Sequence, residues 1–313
     1  MLTYLARRTL LLIPILIGVA TVVFFGMRLS PGDPVRMIAG PLASEERLDE
    51  IRHELGLDKS IPVQYAIWFR NLLRGDLGNS IASGVPAVHL VALRVGATLE
   101  LTITAFILSL AIALLAGVTA AVKQSSVYDN VVTFGAMFWL SMPSFWLGLM
   151  FMSILAVRLP FLPISGRGGS LWTWEGIRHL ILPALTLGLP SAGATARIVR
   201  SSVLETLSQD YVRTARSKGL RERAVITRHV LKNSLIPVIT MTALRLPWLF
   251  GGAVIVETVF AWPGMGRLLT AAVFNRDYPV VQAAALITTG LVVFANYAAD
   301  VLYSVVDPRI RLE

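Results

Sequence analysis

The sequence contains no cysteine and few charged residues. None of its 313 residues is Cys, and only 15% are Asp, Glu, Lys or Arg, whereas roughly a quarter is usual in soluble domains. The lack of cysteine excludes disulfides and thiolate metal sites. The low charge and the 55% hydrophobic content exclude an ordinary soluble domain and predict a polytopic membrane protein.

Motifs of nucleotide, metal and nucleic-acid chemistry are also missing. No G-x-x-x-x-G-K-[ST] occurs, so we expect no ATP, Mg²⁺ or other cofactor on this chain. The histidines have no metal-ligand spacing and no nucleophile–base pair is visible, so we predict neither a metal site nor an enzyme. The net charge of +9 is spread between apolar runs, which argues against nucleic-acid binding.

Six apolar runs are each long enough to cross the hydrocarbon of a bilayer, which is about 30 Å thick. They cover approximately residues 9–29, 99–121, 130–157, 179–199, 234–257 and 281–305. Pro143 in the third run, and Pro183, Gly188 and Pro190 in the fourth, predict bends or breaks. The predicted fold class is an all-α polytopic membrane protein with six transmembrane helices.

The charge of the loops predicts the orientation of these helices. Residues 197–232 hold nine Lys or Arg and three acids, which favours a cytoplasmic loop, and six spans then place both termini in the cytoplasm. The domain boundaries follow. They are a cytoplasmic N-terminus with the first transmembrane helix (1–29), an extracytoplasmic helical cap (30–98), a transmembrane core (99–305) with a basic cytoplasmic loop (200–233), and a cytoplasmic tail (306–313).

Two amphipathic helices are predicted in the cap. One lies between Ser44, a good helix N-cap residue, and Gly56; the other lies between Ile61 and Gly75. Each helix is followed by a glycine, which readily adopts the left-handed conformation that terminates a helix. We therefore expect a small helical domain on the outer surface.

The basic loop predicts a helix over about 201–217, a turn at Gly219 and a second helix from near Glu222. Arg221, Arg223 and Arg228 beside that turn would be solvated unless a partner covers them. This pattern is equally typical of a docking surface for a protein and of a helix on anionic lipid headgroups.

Longer motifs favour the docking surface over the lipid-bound helix. The segments Asp210-Tyr-Val-Arg-Thr-Ala-Arg-Ser-Lys-Gly-Leu220 and Arg228-His-Val-Leu-Lys-Asn-Ser-Leu-Ile-Pro237 together resemble the coupling loop of ABC importer permeases, in the branch that carries di- and oligopeptides, nickel and glutathione. Further segments resemble the same branch in the same order, among them Leu29-Ser-Pro-Gly-Asp-Pro34, Trp262-Pro-Gly-Met-Gly266 and Asp307-Pro-Arg-Ile-Arg311. The resemblance covers nearly the whole chain.

The resemblance implies a type I ABC importer fold and a permease subunit in a bacterial or archaeal cytoplasmic membrane. It implies a second homologous permease, two ATP-binding subunits that hold ATP and Mg²⁺, and an extracytoplasmic solute-binding protein. The substrate, a dipeptide, an oligopeptide or a related solute such as glutathione or a nickel chelate, stays open. An ion-coupled secondary transporter or channel is the alternative, but it would need midplane acids or histidines in a relay, and these are missing.

The resemblance also assigns site residues. The residues expected to couple this chain to the ATP-binding subunits are Arg213, Ala215, Arg216, Gly219, Leu220, Arg221, Glu222, Arg223 and Arg228. Separately from the resemblance, the candidates for the pathway or gate are Trp139, Met142, Pro143 and Glu257. Glu257 is an ionisable residue in an apolar run, and interfacial anchoring is the other interpretation of Trp139. Glu257 precedes an expected gate or re-entrant segment at Pro263–Phe274. An interfacial carboxylate paired with Arg245 or Arg267 is the other interpretation of Glu257.

Overall fold

A computed structural model describes residues 2–29, 34–39, 43–54 and 56–306, and the regular secondary structure in these ranges is helical. The helices are α1 (Leu2–Leu29), α2 (Pro34–Ala39), α3 (Glu45–Glu54), α4 (Ile61–Leu73), α5 (Ala87–Val122), α6 (Val127–Ser141), α7 (Ser144–Phe151), α8 (Trp174–Leu207), α9 (Asp210–Ser217), α10 (Glu222–Ala224), α11 (Leu231–Ala243), α12 (Leu246–Val259), α13 (Met265–Phe274) and α14 (Tyr278–Val306). Wide π-helical turns follow α7 (Met152–Arg158) and α10 (Val225–Val230). The all-α prediction is confirmed for these ranges. The motifs at residues 31–33 and 307–311 and the predicted tail beyond Val306 lie outside them.

The chain divides into two compact units. The first contains Met1–Thr98 and Pro263–Val293, and the second contains Leu99–Trp262 and Phe294–Glu313. Helices α5 and α14 are continuous from one unit into the other. The segment predicted as an extracytoplasmic cap therefore folds together with α1, α13 and the first half of α14.

The first unit has an apolar core formed by small and branched side chains. Its buried members are Ala87, Val91, Met265, Ala272, Val280, Val281, Ala283 and Ala284. Two polar contacts join distant parts of the sequence beside this core. Thr98 Oγ1 accepts a hydrogen bond from the Met265 amide at 2.8 Å, and the buried Asp277 carboxylate accepts from the Ser80 hydroxyl.

Helices α3 and α4 confirm the two predicted cap helices. They end before Gly56 and Gly75, whose φ angles are +64° and +80°, the left-handed conformation that glycine adopts without steric cost. α5 begins at Ala87, so the last part of the segment predicted as the cap (30–98) is helical and continues into the next apolar run.

Length and composition identify fewer spans among the described helices than the six predicted. α5 and the segment Tyr278–Ala299 are long and apolar enough to cross a membrane. The pair Val127–Ser141 and Ser144–Arg158 is a third at most, because its two halves are bent by 108°. That bend confirms the predicted break at Pro143. The predicted run 234–257 divides into α11 and α12 at Leu244–Arg245.

Of the bends or breaks expected in the fourth run, a break is not found. α8 is one continuous helix that includes Pro183 and Pro190. Gly188 instead permits a close helix contact, since a Cβ atom there would lie 2.9 Å from the carbonyl oxygen of Ala105. Gly193 permits a similar contact, since a Cβ atom there would lie 2.5 Å from the carbonyl oxygen of Ala136. Small residues allow such close backbone approach between helices, which is a common way for membrane helices to pack.

Candidate coupling surface and cavity

The loop 200–233 differs from the predicted helix–turn–helix at one point. The helix expected over 201–217 is interrupted, because α8 ends at Leu207 and α9 begins at Asp210. The Ser208 hydroxyl donates to the Glu205 carbonyl at 2.7 Å, and Gln209 is extended with φ −71° and ψ 146°. A serine that bonds the local backbone competes with helix continuation, so the chain turns here before α9 starts.

The inward face of this loop is anchored in an apolar cluster. Val212 and Ala215 of α9 and Val225 and Val230 of the π-helical turn are buried. They pack with residues from α5, α8 and α11, which are Ala121, Val199, Val203 and Val238. Ala215, predicted to take part in coupling, is thus an anchor rather than an exposed contact. The inward face of the loop is thus packed against α5, α8 and α11.

The turn between α9 and α10 has the predicted left-handed glycine. Gly219 has φ +77°, and nothing lies within 4 Å of the position of a Cβ atom there. Across the turn, Arg216 Nη2 donates to Glu222 Oε1 at 2.7 Å and Arg216 Nε donates to Glu222 Oε2 at 3.2 Å. The Arg216 guanidinium holds the pKa of the Glu222 carboxyl below its usual value. Both side chains are exposed, so the pair adds at most about 1 kcal/mol, and Gly219 is the stronger constraint on the turn.

The outward face of the loop is exposed and basic. The exposed residues predicted to contact a partner are Arg213, Arg216, Gly219, Leu220, Arg221, Glu222, Arg223 and Arg228. Leu220, at the tip, has 43% of its surface exposed. An exposed leucine surrounded by arginines, on a segment whose other face is packed, has the composition of a docking surface with an apolar centre and a charged rim.

A buried ion pair supports the end of α8 that leads into this loop, and sequence reasoning missed it. Arg200 Nε and Nη2 donate to the two oxygens of Asp129 at 2.6 and 2.7 Å. The Asp129 side chain is only 3% exposed and also accepts from the Ser125 amide at 3.0 Å. The available signal was Ser126 three residues before Asp129, a helix-start pattern that places a carboxylate in the first turn of α6.

The second unit also contains two adjoining open cavities. One, of about 590 Å³, has mainly apolar walls from α6, α7, α8, α11 and α12. The other, of about 450 Å³, lies along α8 and is more polar, with Arg197, Ser201 and Glu205 in its wall. Leu140 and Arg245 line both cavities. Each volume is in the range of small-molecule sites, roughly 300–1,000 Å³.

The four residues predicted for the pathway or gate do not line these two cavities. Trp139 and Met142 are half-buried and Pro143 is exposed, and it is their neighbours Leu140 and Ser144 that face the first cavity. Glu257 is fully buried near the end of α12. The sequence thus located the α6–α7 break correctly, and the residues that line the first cavity there, Leu140 and Ser144, are neighbours of three of the predicted residues.

Arg245 lines both cavities, a position that the sequence did not predict. It was considered as a partner for Glu257, but among the described residues no carboxylate forms an ion pair with Arg245. The signal was its position, because it is the single charged residue near the middle of the run 234–257. A charged residue within a membrane span is uncommon and is usually functional, so its place in this predicted span makes Arg245 a functional candidate.

Comparison with known proteins gives matches along nearly the whole chain. A family model described as "Binding-protein-dependent transport system inner membrane component" matches residues 112–312. A second, for the N-terminal part of membrane components of such systems, matches residues 1–92.

Similar curated proteins are aligned over almost their full length. A dipeptide transport system permease protein of Alkalihalophilus pseudofirmus is 41% identical, over 99% of this chain and 100% of that protein. An oligopeptide transport system permease protein of Bacillus subtilis is 40% identical, over 99% and 100%. A glutathione transport system permease protein of Salmonella choleraesuis is 43% identical, over 99% of each chain.

Proposed function

The chain belongs to the family of inner membrane components of binding-protein-dependent transport systems, and on that premise we propose that it is the permease subunit of an ATP-driven importer of di- or oligopeptides. The proposal includes a related solute such as glutathione or a nickel chelate, since relatives named for dipeptide, oligopeptide and glutathione transport match this chain about equally well. Its role is transport, and ATP hydrolysis belongs to other subunits.

The proposed topology has six transmembrane spans with both termini in the cytoplasm. The basic composition of residues 197–232 favours a cytoplasmic position for the loop. In this topology residues 30–98 form the extracytoplasmic cap, and α1 together with residues 99–305 forms the membrane-spanning part. The membrane is the cytoplasmic membrane of a bacterium or archaeon.

The proposed complex contains a second homologous permease, two ATP-binding subunits and a solute-binding protein outside the membrane. ATP and Mg²⁺ bind to the ATP-binding subunits. The single observation that carries this proposal is the two-faced loop, with its outward basic face exposed and its inward face packed into α5, α8 and α11. A surface built in this way is suited to receive a partner on one side and to move helices on the other.

Coupling in the proposed mechanism requires contacts that differ between states. Closure of the ATP-binding subunits would displace α9 and the turn at Gly219, and the buried Val212 and Val225 would carry that displacement to the neighbouring helices. Tight docking alone would not drive transport, because a partner shifts a conformational equilibrium only through its different affinity for the two states.

The test is a pull-down of the tagged chain in mild detergent, expressed with the products of its neighbouring genes, followed by mass identification. We expect a second permease and ATP-binding subunits to be retained. In the variant R221E/R223E the recovery of ATP-binding subunits should fall about tenfold or more, because reversed charges repel a complementary surface. The matched control is R70E/R74E, which reverses two exposed arginines of the cap and should leave recovery unchanged.

Two outcomes would contradict the proposal. A folded wild-type chain that elutes alone or as a homo-oligomer would favour a channel or an ion-coupled transporter. Unchanged recovery in R221E/R223E, together with weaker binding to vesicles of anionic lipid, would assign these arginines to the lipid surface.

A further inference from the structure

A single arginine lies at the point where two apolar helices of the core are interrupted. α11 ends at Ala243, α12 begins at Leu246, and Arg245 occupies the break between them. The break is near the middle of the apolar run 234–257. An ionisable side chain within a membrane segment is costly unless it is paired or faces a water-filled cavity.

Arg245 meets only the second of these conditions in this chain. It lines both cavities of the second unit, and its guanidinium forms no hydrogen bond or ion pair with any residue that the structure describes. The charged residues in the two cavity walls besides it are Arg197 and Glu205, both in the polar cavity along α8. The apolar cavity has no carboxylate in its wall.

The surroundings of Arg245 fit the carboxylate end of a ligand that has an apolar side chain beside it. The apolar cavity presents Leu187, Leu244 and Trp248, and Trp248 is 82% exposed. Ser144 and Ser191 supply hydroxyl groups. The planar guanidinium has five N–H donors whose geometry matches a carboxylate with two parallel hydrogen bonds.

From this arrangement we infer that Arg245 binds the carboxylate of the transported solute as it passes through the core, and so determines which solutes pass. The inference rests on the proposed function, because it places a peptide-like substrate in this cavity. Dipeptides, oligopeptides and glutathione share a free carboxylate, so one site suits all three. The interrupted helix is typical of substrate sites in transporters, where backbone and side chains at a break face the solute.

The test uses the complete complex in proteoliposomes with its solute-binding protein. An equimolar mixture of tripeptides, each as free acid and as C-terminal amide, is supplied outside, and the peptides taken up are quantified by mass spectrometry. In R245Q we expect uptake of free acids to fall about tenfold or more, since a charge-assisted pair is lost. R245K should retain an intermediate rate because it keeps the charge. Binding-protein-stimulated ATPase activity should persist in both variants.

A matched control and a second chemistry separate binding from a structural role. R158Q makes the same substitution at an exposed arginine outside both cavities and should transport free acids at the wild-type rate. Because the chain has no cysteine, R245C introduces a single thiol. Modification of that thiol by 2-aminoethyl methanethiosulfonate restores a cation and should recover uptake, whereas methyl methanethiosulfonate should not.

Three results would overturn the inference. Wild-type uptake of free acids by R245Q would show that the guanidinium does not contact the solute. Loss of the second permease from purified R245Q complex would show that Arg245 pairs with that subunit instead. Failure of both R245K and the restored cation would indicate a packing role. A wild-type complex with stimulated ATPase activity but no peptide uptake would reject the proposed substrate class itself.

Discussion

Replacement of Gly219 by valine tests whether the conformation of the loop is needed to couple the ATP-binding subunits to this chain. Gly219 has φ +77°, and no atom lies within 4 Å of the added Cβ position. The substitution therefore introduces no clash, and its cost is conformational. A left-handed residue with a side chain costs about 1–2 kcal/mol, which is a factor of about 5–30 in the population of the turn. Asparagine visits this conformation more readily, so G219N should be much milder than G219V.

The assay is the ATPase activity of the assembled complex in the presence of its solute-binding protein. We expect G219V to lose most of this stimulation and G219N to keep most of it. G75V is the matched control, since Gly75 also follows a helix, has φ +80° and has open space around it, but it lies in the cap. Full stimulation in G219V with normal assembly would refute the reasoning. Equal loss in G75V would show a general effect of strain.

Two further predictions concern packing within the second unit, and both are measured by thermal unfolding in detergent. R200M should destabilise the protein by about 2–3 kcal/mol, because it leaves the buried Asp129 carboxylate without its cation. The double variant D129N/R200M should cost less than the sum of the two single changes. Additive costs would show that the two groups act independently. G117A should cost about 1–3 kcal/mol, because its Cβ would lie 2.6 Å from the Ala196 carbonyl oxygen. G135A, with open space around it, should be neutral or slightly stabilising, and an equal effect in both glycine variants would contradict this account.

The local predictions that held were those in which a few neighbouring residues decide the conformation. Glycines at helix ends adopt the left-handed conformation, as at Gly56, Gly75 and Gly219. Pro143 interrupts its apolar run because proline has no amide hydrogen to donate. The unbroken helix at Gly188 has a different cause. It depends on what packs against that glycine, which the local sequence does not contain.

The sequence by itself determined the class of the protein. Its apolar runs and low charge indicated a polytopic membrane protein, because hydropathy is a local property, and the resemblance of residues 210–237 to a known coupling loop indicated an importer permease. Only the tertiary structure decided which side chains meet. It paired Arg200 with Asp129, turned Ala215 inward and placed Arg245 in a cavity wall. Those outcomes depend on contacts between residues far apart in the chain, where distance and burial, not residue type, determine the chemistry.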